Sequence, residues 1–386
     1  MEKRFVYADN AATTAPLPEV IEEMMPYLCE NWGNPSSIHS KGQKAKEALD
    51  AYRKKIADIL DCDSSEIFFT SCGTEADNHA IRGAAMANAY KGKHIITTKV
   101  EHPAVLNTCK ALEKEGFRVT YLDVDVYGRV SASDVERAIC EDTILVAVMY
   151  ANNEIGTIMP IREIASVCRE HGVLCMTDAV QAVGSVPISV KELGVDMLTA
   201  SGHKIHAPKG IGLLYIKKGT KIKNLIDGGG QEKGRRGGTE NLPYIAAFAK
   251  ALEIAYKKLP DMERVTRLRD RLIEGLCKIP RSRVNGSLEH RLPGNANISF
   301  ECIEGESILL LMDMAGICCS TGSACSSNSL DPSHVLLAIG LPHEIAHGSV
   351  RLSLSHENTE EDVDYIIEKL TDTVARLRAM SPLWNG

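Results

Sequence analysis

Short apolar runs recur along this chain at intervals that leave room for a helix between most of them, and that spacing constrains the fold more than any other feature. The runs are Ile67 to Thr70, His94 to Thr98, Arg118 to Val124, Thr143 to Tyr150, Val173 to Thr177, Met197 to Ala200 and Ile211 to Ile216. Strands joined through helix-length crossovers run parallel, because a tight hairpin can only reverse the chain. An α/β architecture follows, with a large, mostly parallel sheet of about seven strands. The helix ahead of the first run is marked by Ala45, Ala48, Leu49, Tyr52, Ile56, Ile59 and Leu60 at helical spacing.

The pattern changes near Pro260. A helix phased by Ile245, Phe248, Ala249, Leu252 and Tyr256 ends there, and another, phased by Val265, Leu268, Leu272 and Leu276, follows. Beyond lie strand candidates Ala296 to Phe300, Ile317 to Ser320 and Ser349 to Leu354, then a long helix capped by Thr359 with Asp362 and striped by Val363, Ile366, Leu370, Val374 and Leu377. The expected organisation is a large α/β domain over 15–258 and a smaller α+β domain formed by 1–14 with 259–386. A chain of 386 residues is long enough for both.

A net charge of −7 argues against a protein that coats nucleic acid or an anionic membrane. No run approaches the roughly 18 apolar residues of a membrane span, and the start has no apolar core of signal-peptide length. The cytoplasm is expected, without direct nucleic-acid or membrane partners. Twelve cysteines without a CxxC pair fit a reducing compartment better than a disulfide framework.

Two of the runs end in chemistry. Val173 to Met176 lead into Thr177 and Asp178, and Met197 to Thr199 lead to Lys204, so an acid and an amine should stand at one carboxyl edge of the sheet, where open α/β sheets bind ligands. An amine able to form a Schiff base and a carboxylate able to hold a pyridinium nitrogen protonated are what pyridoxal 5'-phosphate needs from a protein. Ser71-Cys72-Gly73-Thr74-Glu75 marks another strand-to-helix junction, where free backbone N–H groups suit a phosphate. A plain capped helix start is the alternative at that junction.

The stretches YADNAATT, NPSSIH, TSCGTEADN, EHPAVL, NNEIG, TDAVQAVG, SGHKIHAPKG, GGGQEKGRRGGTEN and STGSACSS, in this order across nearly the whole chain, resemble the NifS/IscS family of cysteine desulfurases. The resemblance implies the aspartate-aminotransferase-like fold (fold type I) and a homodimer with active sites at the subunit interface. It makes Lys204 the internal Schiff base, Asp178 the partner of the pyridine nitrogen and Gln181 the contact to the ring hydroxyl. Gly73, Thr74, Ser201, Gly202 and His203 become the phosphate cup, joined by Thr239 from the other subunit. His102 would stack on the ring and move protons, and Asn153 and Arg351 would contact cofactor and substrate carboxylate, Arg351 as a bidentate fork.

Cys325 lies among small polar residues, Ser320 to Ser329, which cannot form a core and read as an exposed, mobile loop. An exposed thiol can ionise to the nucleophilic thiolate. The resemblance implies that Cys325 removes sulfur from L-cysteine as a persulfide, releasing alanine, and passes it to an iron–sulfur scaffold protein or another acceptor. No stable metal site is expected; Cys325 is a candidate transient iron–sulfur ligand. Cys72, in a position where many relatives carry glycine, and Cys318-Cys319 read as structural.

Other enzymes of the same fold, a selenocysteine lyase or an aminotransferase, are the nearer alternatives, and Cys325 separates them because a transaminase needs no loop thiol. A remoter one is a zinc hydrolase, since His343-Glu344-Ile345-Ala346-His347 matches H-E-x-x-H. That chemistry needs a sustained helix, whereas Pro342 and Gly348 bracket the motif.

Overall fold

The computed structural model describes residues 4–321 and 332–384. In chain order its strands are β1 (Val6–Tyr7), β2 (Ile67–Thr70), β3 (His94–Thr98), β4 (Arg118–Leu122), β5 (Thr143–Ala147), β6 (Leu174–Asp178), β7 (Met197–Ser201), β8 (Gly212–Ile216), β9 (Ser282–Val284), β10 (Asn295–Phe300), β11 (Ile317–Cys318) and β12 (Ser349–Ser353). The runs predicted from sequence form one seven-stranded sheet in the order β2-β8-β7-β6-β5-β3-β4. β3 pairs in parallel with β4 and β5, β5 with β6, and β6 with β7; β8 runs antiparallel between β7 and β2.

Both faces of this sheet are covered, which explains why its central strands are apolar without alternation. Leu145 and Ala147 of β5 point to one buried layer with Phe68, Ile95, Met176 and Leu214, closed by the helices Gly73–Asn88 and Pro103–Lys114. Val146 points the other way, to Phe69, Ile96, Cys175 and Leu213, under the helices Ser40–Leu60, Ile161–Glu170 and Leu242–Lys257. Ala76, Ala80 and Ala84 let the helix after β2 lie close on the sheet, each at most 1% exposed. At the edge, β4 is covered only in part.

A further buried cluster joins β10 and β12 to the helices Met262–Leu276, Gly305–Met314 and Glu360–Met380, and takes in Val6 and Ala8 from the start of the chain. β9, β10 and β12 form an antiparallel sheet, and β1 pairs in parallel with β11. The last helix opens on the capping box predicted for it. Thr359 Oγ1 accepts the Asp362 N–H at 3.2 Å, and Asp362 accepts the Thr359 N–H at 3.1 Å.

Three strands stop at least two residues short of what the sequence suggests, β11 at Cys318 among them. β4 stops at Leu122 and β5 at Ala147, before Val148 to Tyr150. At Met149 the backbone N–H turns to the buried Glu101 carboxylate, 3.0 Å from each oxygen, and so leaves the strand ladder. The H-E-x-x-H segment is a helix of five residues, His343–His347, with β12 starting two residues later. That is too short for a zinc-protease helix, and among the described residues no cluster of metal-ligating side chains includes either histidine. No helix among the described residues is long and apolar enough to cross a membrane.

Candidate active site

The carboxyl ends of β2, β6 and β7 open onto one cavity of about 330 Å³. β2 runs into Gly73 and Thr74, β6 ends at Asp178, and β7 ends at Ser201; all four line the cavity. Gln181, His203, Lys204, His102, Asn153 and Arg351 line it as well. Gly202 and Thr239 do not. Gly202 is buried behind the wall, where a Cβ would come within 2.7 Å of Ile211, and Thr239 is exposed. Cys325 lies outside the described residues.

Lys204 closes a single helical turn, Gly202–Lys204, directly after β7. Its Nζ donates to the carbonyl oxygens of Ala11 and Ala12 at 2.6 and 2.7 Å. Gln181 Nε2 donates to the same Ala11 oxygen at 3.0 Å. Asp178 is 6% exposed and accepts the Val180 N–H at 2.9 Å. Burial pushes its carboxyl above the usual range, while His102, the Val180 N–H and Lys204 pull the other way. His102 caps the helix Pro103–Lys114, its Nδ1 accepting the Ala104 N–H at 3.1 Å, and burial holds its imidazole below the ordinary value.

A corner with the chemistry to take an anion forms where β2 meets its helix. Gly73 begins that helix, so backbone N–H groups at its start are available to a ligand. A Cβ on Gly73 would meet Val180 at 2.9 Å and Ser201 at 3.4 Å, so a side chain there would crowd the corner. Cys72 is the N-cap, its Sγ accepting the Glu75 N–H at 3.4 Å. Among the described residues the Ser201 hydroxyl has no hydrogen-bond partner although it is buried, an arrangement that costs free energy until something fills it. His203 bonds Thr13 Oγ1 at 3.2 Å, and burial followed by the Lys204 charge brings its imidazole down to about 4.

Across the cavity stands Arg351, 2% exposed, on β12. Its Nη2 donates to Asp9 Oδ1 at 2.9 Å and its Nη1 to the Asn153 carbonyl at 3.1 Å, while Nε is buried without a partner among the described residues. This burial keeps Arg351 off any solvent face of its strand.

Several participants carry no assignment from sequence. The carbonyls of Ala11 and Ala12 and the carboxylate of Asp9 belong to the YADNAATT stretch, whose resemblance marks the segment but not what each residue touches. Asp77 lies one helical turn after Thr74, and that spacing is the signal that could have found it. Glu101, next to His102, is buried and accepts the Thr98 hydroxyl at 2.7 Å; burial raises its carboxyl to about 8.

An amine, a buried acid, an anion corner and a guanidinium at the carboxyl edge of an α/β sheet define a class-V aminotransferase site. The model of that family, aminotransferase class-V, matches residues 6–366, and the chain belongs to it. Cysteine desulfurase IscS of Methanosarcina thermophila is 56% identical over 383 residues, covering 99% of this chain and 95% of the relative. Within the family, the chain belongs to the cysteine desulfurases. A solved NifS-like protein superposes with a TM-score of 0.92 at 40% identity, covering 97% of this chain and all of the other. The solved structure described as SspA in complex with cysteine superposes with a TM-score of 0.81 at 37% identity, covering 92% of this chain and all of the other. The fold is therefore the fold type I expected from the resemblance, and enzymes of this family use pyridoxal 5'-phosphate.

Proposed function

We propose that the cavity holds pyridoxal 5'-phosphate and that the enzyme removes sulfur from L-cysteine, leaving L-alanine. The observation that carries this reading is the convergence of Lys204, Asp178, Gln181 and His102 on one cavity whose corner holds an unpartnered Ser201 hydroxyl. The residues fit the cofactor. Lys204 supplies the amine that anchors it, Asp178 the negative charge for its ring nitrogen, and Gln181 a contact for its ring hydroxyl. Gly73, Thr74, Ser201 and His203 hold its phosphate, with Thr239 supplied by a second copy in a homodimer; Gly202, behind the wall with its N–H bonded to the Ile211 carbonyl, supports the corner without facing it. When bound, the cofactor supplies an electron sink for carbanionic chemistry.

Around it, this chain's residues bind and move protons. Arg351 and Asn153 orient the substrate carboxylate, and the unpartnered Nε of Arg351 leaves capacity for it. His102, whose imidazole burial holds below its ordinary value while Asp178 pulls it up, would accept and return the substrate's protons. Cys325, as thiolate, would attack the substrate sulfur: the S–S bond forms as the substrate C–S bond breaks. That bond's electron pair stays on the carbon, which takes a proton and leaves as alanine, and the persulfide serves an iron–sulfur scaffold protein or another acceptor.

The test uses purified protein with L-cysteine and a thiol reductant. Alanine and sulfide should form in equal amounts, Cys325→Ser should abolish both while the visible band of bound cofactor persists, and Lys204→Ala should abolish the covalent chromophore. Normal turnover by Cys325→Ser would overturn the proposed chemistry.

A further inference from the structure

Asp77 is 1% exposed and lies one turn into the helix Gly73–Asn88. Its carboxyl, the Asp178 carboxyl and the His102 imidazole have polar atoms within 4.8 Å of one another. Two carboxylates this close and out of water repel too strongly to ionise together, so the pair retains a proton. Their surroundings decide which acid keeps it. Asp178 accepts the Val180 N–H and faces His102 and the Lys204 ammonium, which favour its charged form. Asp77 accepts the Thr199 hydroxyl at 2.6 Å and faces the Asp178 carboxylate, whose charge opposes its ionisation. Thr199 is also the register partner of Asp178 across β6 and β7, so one hydroxyl ties the second acid to the strand position beside the first.

Resting on the cofactor reading above, we propose that Asp77 is a positioning residue for Asp178: it holds the proton of the pair, so that the single negative charge stays on Asp178, where a pyridinium nitrogen would be held. Burial and the neighbouring Asp178 raise the Asp77 carboxyl well above its usual range, in the same direction. An ionised Asp77 would instead compete for the ring proton and spread the charge away from the ring.

The test compares wild type, Asp77→Asn and Asp77→Ala as purified full-length protein with its cofactor. Asparagine keeps the shape and the neutrality, so cofactor affinity should stay within about twofold of wild type; alanine strands the Thr199 hydroxyl and should weaken affinity about tenfold. Infrared difference spectra at neutral pH, wild type minus Asp77→Asn, should contain the carbonyl stretch of a protonated carboxylic acid and no carboxylate stretch. A lost carboxylate stretch, or equal weakening of cofactor binding by both replacements, would overturn the proposal. Wild-type protein that takes up no pyridoxal 5'-phosphate would overturn the cofactor reading instead, and the infrared comparison would still decide where the proton lies.

Discussion

The buried Arg351 and the half-buried Asp9 form an ion pair, Nη2 to Oδ1 at 2.9 Å, although 342 positions separate them in the chain. The pair draws the N-terminal segment against β12 and sets the guanidinium at the cavity wall. Its Nη1 is held by the Asn153 carbonyl, so the plane of the fork is fixed from two sides.

Arg351→Lys should therefore keep a positive charge in the cavity but lose the planar fork. The expected result is a fall in kcat/KM for L-cysteine of about 10- to 100-fold, mostly through KM, with the cofactor band retained. Steady-state kinetics check it. An unchanged KM would mean that Arg351 serves the Asp9 contact alone.

Glu232 is the corresponding anchor for the glycine-rich segment ahead of Thr239. It pairs in bidentate fashion with Arg53 at 2.7 and 2.8 Å and accepts the Phe69 N–H of β2 at 2.9 Å, with both side chains buried. Glu232→Ala leaves the Arg53 charge buried and uncompensated, and should cost about 3–5 kcal/mol. Thermal or denaturant unfolding measures it. Replacing both partners together, Arg53→Met with Glu232→Leu, should recover most of the loss; a single variant as stable as wild type would contradict the argument.

Glu101 gives a pH dependence with a definite sign. Its folded carboxyl binds a proton up to about 8, against 4.5 for an ordinary glutamate, because burial outweighs the Met149 and Thr98 hydrogen bonds. The native state holds this proton more tightly than the unfolded chain, so the group's contribution is complete below about 4.5 and is lost as pH rises towards about 8. Glu101→Gln should flatten the fall in Tm over that window. Parallel Tm profiles for wild type and variant would show that Glu101 is ionised in the folded protein.

Much of this site was legible in the sequence because strand ends are. Asp178 and Lys204 each follow an apolar run, and a sheet buried on both faces brings such ends to one edge. The assigned contacts other than Gly202, Thr239 and Cys325 line the cavity. Less was visible where the contact crosses the chain. Nothing local to Asp9 announces Arg351, and nothing in Ala11 or Ala12 announces that their carbonyls receive the Lys204 amine. Glu232 at φ 45° departs from what its residue type favours, and its partner stands 179 positions earlier. The early end of β5 has the same origin, a carboxylate from Glu101 taking a strand N–H.

The most direct measurement is the fate of one sulfur atom. Cofactor-loaded protein is given one equivalent of L-cysteine without reductant, free thiols are trapped, and peptides are mapped by mass spectrometry. The account predicts one extra sulfur on Cys325, an equivalent of alanine in solution, and neither product from Cys325→Ser despite an intact cofactor band. Extra sulfur on Cys72 or Cys319 with alanine still released by Cys325→Ser would contradict it.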